Sequence, residues 1–180
     1  MASLKSAVFI HTLLIGLLAL EVVIYYPKLP DTVASHFGAS GQADGWMSKQ
    51  AFAALAIVFP VALSTLLIAV QASTVYLDRL PAGLINMPNK KYWLAPERRA
   101  ETMAYMGPLV SRMMLRAGGL SMALIVIIMG LALHANLQPE PRLEYAWPVV
   151  VTFLGLILIT AVRDIVQVYR RFGRIPQPEV

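Results

Sequence analysis

The sequence predicts an all-α membrane protein with four transmembrane helices, both termini on the cytoplasmic side, and an amphipathic cytoplasmic segment between helices 2 and 3. Three observations carry this. The 180 residues are 58% hydrophobic and 14% charged, whereas a soluble domain carries roughly 25% charged residues. Four apolar blocks each approach or exceed the about 20 residues that a helix needs to cross hydrocarbon. Lys and Arg fall almost entirely in alternate connecting segments, as they do when a chain crosses a bilayer repeatedly. With no cysteine and no Gly or Pro period, disulfide-framed, collagenous and disordered classes are excluded.

The first block, about residues 7–26, contains one acid, Glu21, within a run of Leu, Ile and Val that a soluble helix does not display on all sides. It is long for a signal peptide and no convincing small-x-small cleavage site follows it. The second span, about 50–72, lies in a stretch free of charge from Gln50 to Leu77, with Pro60 inside it. The third and fourth, about 117–137 and 145–163, hold no formal charge up to Val162. Counting Lys and Arg, the N-terminus, the inner segment 73–116 and the C-terminal tail hold 12, against 3 in the remaining two loops. The positive side is the cytoplasmic one. Tyr25, Tyr26, Trp46, Tyr145 and Trp147 cluster at the expected outer ends, where amphipathic rings favour the interface.

The outer loop, 27–49, is dense in backbone punctuation. Pro27 and Pro30 end the first helix, Asp31 is placed to cap a short helical turn through Phe37, and Gly38 is placed to close it. Asp44-Gly45 reads as a turn and Ser48 as the cap of the second span. Asp31, His36, Asp44 and Trp46 are the candidate recognition residues. A His beside carboxylates is also raw material for a metal or proton site, but paired His spacing is missing, so no metal, cofactor or catalytic residue is assigned. Glu21 and His134 are the intramembrane polar candidates. By the helical rise, Glu21 lies about 7 to 8 Å below Tyr26, and His134 is its expected neighbour.

The run Leu29-Pro30-Asp31, His36-Phe37, Gly41, Asp44-Gly45-Trp46 and Lys49 resembles the signature of a bacterial membrane domain of unknown function, DUF1648, which also forms the N-terminal part of SdpI-type immunity proteins. The run Asn86-Met87-Pro88-Asn89-Lys90, with Tyr92-Trp93-Leu94-Ala95-Pro96-Glu97-Arg98-Arg99, is similar to the cytoplasmic segment of short members of that group. Gly38 stands where the group often has Asn. The resemblance implies a bacterial inner-membrane location and a recognition role for Asp31, His36, Asp44 and Trp46, and leaves immunity to a secreted peptide toxin as its more distant implication.

In the inner segment, a helix starting at Pro96 places Met103, Met106, Val110, Met113 and Met114 on one face. Arg98, Glu101, Tyr105, Arg112 and Arg116 fall on the other. Such a helix is expected to lie on the membrane or pack within the chain, with Arg98, Arg99, Arg112, Arg116 and Trp93 at the headgroups. No glycine-rich phosphate loop accompanies the basic run, and basic residues interleaved with apolar blocks suit lipid rather than nucleic acid. The expected partners are the bilayer and a peptide or protein; the sequence leaves the oligomeric state open. Three functions compete: a non-enzymatic binding or sensory module using the outer loop, a transporter or channel component with an intramembrane carboxylate, and a metal-dependent membrane enzyme.

Overall fold

The computed structural model describes residues 2–177. It contains α1 (Ala2–Tyr25), β1 (Thr32–Phe37), β2 (Ala43–Ser48), α2 (Lys49–Ser73), a short α3 (Lys90–Trp93), α4 (Pro96–Ala135) and α5 (Ala146–Phe172), with 3-10 segments at Tyr26–Lys28, Thr74–Arg79 and Ala82–Leu84. α1, α2, α4 and α5 are long and apolar enough to cross a membrane, which makes this a multi-pass membrane protein. It is mostly helical, but a two-stranded sheet corrects the all-α expectation.

Local chemistry sets the helix ends. Pro27 passes α1 into a 3-10 turn, and the Ser48 hydroxyl accepts from the Ala51 amide at 3.2 Å to cap α2. Pro96 opens α4 at its first turn, where a missing N–H costs nothing. Pro148 falls in the first turn of α5 for the same reason. α1 and α4 run parallel: Gly118 and Gly119 lie against His11 and Ile10, Gly130 against Glu21, and His134 against Tyr25. Small residues let the two backbones approach closely. α2 returns antiparallel beside both, bringing Ser64 to His11 at 2.7 Å, while α5 packs chiefly on α4.

The loop between α1 and α2 is a β-hairpin, which overturns the helical turn expected through Phe37. β1 and β2 pair antiparallel, with Val33 opposite Met47 and Ala34 opposite Trp46, and the register is irregular between Ala34 and Phe37. Asp44 and Gly45 lie inside β2 instead of forming a turn. The reversal is at Gly38–Gly41, where the Gly41 amide donates to the Gly38 carbonyl at 2.9 Å. It is Gly41, not Gly38, that has the positive φ of 78°. Asp31 caps no helix; its carboxylate pairs with Lys49 at 2.9 Å, and its carbonyl accepts the Lys49 amide. Tertiary contact decides the matter: buried Val33 joins Leu29, Phe52 and Leu133 in a core at the mouth of the bundle. A helical turn would take that side chain elsewhere.

The helix expected from Pro96 and the third span are one element. α4 runs 40 residues without a break, about 60 Å at the helical rise, so its first turns continue the third span instead of forming a separate helix on the bilayer. The methionine face packs within the chain, with Met103, Met106 and Leu109 joining Ile85, Leu94 and Phe172 in a second core. The molecule thus has a hairpin end and a basic end, and Tyr25, Tyr26, Trp46, Tyr145 and Trp147 all belong to the hairpin end.

Candidate recognition surface at the hairpin end

The hairpin is fastened to the helices at three points. The Asn136 side chain, just past α4, lies along Ala34 as a strand would: its Oδ1 accepts the Ala34 amide at 2.6 Å and its Nδ2 donates to the Ala34 carbonyl at 2.9 Å. The same Nδ2 donates to the Ala132 carbonyl. At the turn, the Leu143 amide donates to the Gly41 carbonyl at 2.8 Å, and Gln42 bridges to Arg142. From the first turn of α5, Trp147 Nε1 donates to the Ala39 carbonyl at 2.9 Å. The bonds to Ala34, Ala39 and Gly41 satisfy backbone groups that the short sheet leaves open.

Alternation along β2 turns Met47 inward and leaves Asp44, Trp46 and Ser48 exposed. Trp46 is 55% exposed. The His36 imidazole bonds the Asp44 carboxylate, both side chains in solvent. Asp31 is drawn to Lys49, whose ammonium also lies 5.8 Å from the Tyr26 ring. Of the four expected recognition residues, His36 and Asp44 therefore meet, Trp46 shares the exposed face of β2, and Asp31 stands apart at the hairpin's base. No group of three or more potential metal ligands forms among the described residues.

The two intramembrane candidates separate by one helical turn. Glu21 packs against Gly130, where a Cβ would lie 3.0 Å from either carboxylate oxygen, and its Oε2 is buried without a hydrogen-bond partner. His134, a turn further out and exposed, meets Tyr25 edge-on at 6.5 Å. Sequence reasoning overlooked a more deeply buried group: His11, 2% exposed, with Nδ1 bonded to Ser64. The signal was available, because an ionisable residue inside an apolar span marks a site or an interhelical bond by default. Asn136, Asp164 and the Gln71–Ser111 bond between α2 and α4, 2.6 Å, were missed too.

At the basic end, three expected headgroup residues are bonded within the protein. Arg116 forms an ion pair with buried Asp164, joining α4 to α5; a buried charge is costly unless it is paired. Trp93 meets the Phe172 ring edge-on, and its Nε1 donates to the Phe172 carbonyl at 2.9 Å, beside a second donor, Asn89 Nδ2, at 3.0 Å. The Asn89-to-Trp93 run thereby caps the last turn of α5. Arg99 donates to the carbonyls of Asp78, at 2.8 Å, and Leu80. Arg98 lies over the Tyr92 ring at 4.1 Å, and Arg112 is exposed.

No solved structure matches this chain. An uncharacterised protein of Archaeoglobus fulgidus is 29% identical over 177 residues, a match covering 87% of this chain and 89% of that protein. Residues 12–59, which build most of α1, the hairpin and the first part of α2, match the family described as "Domain of unknown function (DUF1648)".

Proposed function

We propose that this is a non-enzymatic membrane protein whose hairpin recognises a peptide or protein on the outer side of a bacterial inner membrane. The observation that carries the reading is the rigid presentation of Trp46. Its strand pairs with one held by Asn136, Trp147 holds the turn between them at Ala39, and the indole is exposed with the His36–Asp44 pair on the same hairpin. An exposed aromatic on a preorganised backbone loses little entropy on binding, and Trp is the side chain most enriched among interface hot spots.

A photoreactive phenylalanine derivative at position 46, introduced in living cells, is the test. The reading expects a discrete peptide or protein adduct that is absent when the probe stands at lipid-facing Val151. Binding of the identified partner to the purified chain should fall tenfold or more on Trp46→Ala and not on Tyr76→Ala, at the other end. Equal labelling from 46 and 151, or binding indifferent to Trp46, overturns it.

One observation favours a second reading, a transport component. The Glu21 carboxylate sits in the α1–α4 seam with one oxygen buried and unbonded, and intramembrane acids commonly mark ion paths. Proton flux in proteoliposomes that Glu21→Gln abolishes would support transport; flux indifferent to Glu21, or no flux, dismisses it.

A further inference from the structure

A cleft of about 1100 Å³ opens at the basic end, far from the hairpin. Its walls come from the first turns of α1 at Leu4 and Ser6, the end of α2 with the Thr74–Arg79 turn, and α4 from Met103 to Leu115. The lining is predominantly apolar, through residues such as Leu4, Ala69, Ala72, Val75 and Leu115. The cleft is built, not a gap between loose parts. Arg99 ties the carbonyls of Asp78 and Leu80 to α4, fixing the turn that forms one wall, and the Gln71–Ser111 bond joins α2 to α4 beside it.

Two charged side chains line this apolar space. Arg112 is exposed and makes no hydrogen bond or ion pair among the described residues. Asp78 is exposed as well, its carbonyl, not its carboxylate, being the group held by Arg99. The walls belong to helices that cross the membrane, at the level where their apolar stretches end. A cleft of this size at that depth, apolar within and carrying one cation and one anion, complements a molecule with a long hydrocarbon chain, a phosphate and an ammonium. Arginine is suited to the phosphate by its planar fork of donors.

We propose that this cleft is a binding site for a zwitterionic phospholipid of the adjacent leaflet, with an acyl chain along Ala69, Ala72 and Leu115, the phosphate on Arg112 and the ammonium toward Asp78. The site is independent of the hairpin reading and stands or falls separately.

Gly107 supplies a clean test. It lines the cleft, and a Cβ built there meets nothing within 4 Å. Gly107→Leu therefore adds side-chain volume at the cleft from an unobstructed Cβ, and it improves helix propensity. The full chain is delipidated in detergent, titrated with dioleoyl phosphatidylethanolamine, and its bound lipid counted by native mass spectrometry. Wild type should retain one lipid per chain. Gly107→Leu and Arg112→Gln should each weaken retention tenfold or more with unchanged thermal midpoints, while Arg163→Gln, on α5 outside the cleft, should not. Inorganic phosphate in excess should leave the lipid in place. Equal retention by all four chains, retention by Gly107→Leu at the wild-type level, or displacement by inorganic phosphate would each overturn the proposal.

Discussion

Asn136 serves Ala34 as a neighbouring strand would, bonding both its amide and its carbonyl through one side chain, 102 residues away in sequence. Ala34 is fully buried, so water cannot replace those bonds. A buried backbone group left unpaired costs about 1–3 kcal/mol. Asn136→Leu should therefore lower unfolding stability by about 2–4 kcal/mol, measured by denaturant titration in mixed micelles. Asn136→Asp keeps the acceptor but loses the donor, and should fall between that variant and wild type. Stabilities equal to wild type would contradict the clasp.

Gly41 is irreplaceable for two independent reasons. Its φ of 78° disfavours any side chain, at about 1–2 kcal/mol, and a Cβ there would lie 2.7 Å from the Leu143 carbonyl oxygen. Gly41→Ala should break the contact between the hairpin turn and the loop before α5. Limited proteolysis checks this: the 38–42 turn should be nicked faster in the variant. Ala39→Gly, in the same turn, leaves the docked carbonyls in place and should not accelerate cleavage at the Leu143 side.

The Arg116–Asp164 pair joins α4 to α5 with the acid 3% and the base 28% exposed at the side chain. Removing one member of a wholly buried pair costs about 3–5 kcal/mol. The partial exposure of Arg116 reduces this to about 1–3 kcal/mol through solvent screening. Arg116→Leu and Asp164→Leu should each destabilise to that extent, and the double variant should be more stable than the sum of the single losses implies. Strict additivity would mean that the pair does not couple the helices.

The chain has no cysteine, so single-cysteine variants report without background. A cysteine at Glu21, facing Gly130, should react with a lipid-soluble maleimide severalfold more slowly than one at Val23, which is 69% exposed. With a membrane-impermeant reagent, a cysteine at Ser40 on the hairpin turn should label in intact cells. One at Lys91 should label only after permeabilisation, as the Lys and Arg skew requires. The opposite pattern at 40 and 91 reverses the assigned sidedness.

Spans and helix starts were legible because hydrophobic length and capping act locally. Pro96 and Ser48 open their helices as their chemistry dictates. The hairpin was not legible. Its strands draw on Asn136 and Trp147, and Asp31 and Gly38 satisfy helix-end rules equally well in a segment that long-range packing then overrules. The inner segment misled differently. Its methionine stripe was read correctly as an apolar face, but periodicity says nothing of what covers it, and Phe172 of α5 lies beside it. Arg116 was assigned to headgroups for the same reason, since Asp164 is 48 residues away. His11 and Ser64, by contrast, stood in plain view inside apolar blocks.

The parallel seam between α1 and α4 also bears on how the chain is made. Tyr25 ends the first helix, and its partner His134 lies near the end of α4, about 110 residues later in synthesis. At about 5–20 residues per second, that is a delay of roughly 5–20 s. Throughout it, Glu21 has left the ribosome while Gly130 has not. The nascent first helix must therefore shelter its carboxylate beside the translocation machinery or keep it near the headgroups. Whatever helps this protein insert should be found holding its first helix, not its last.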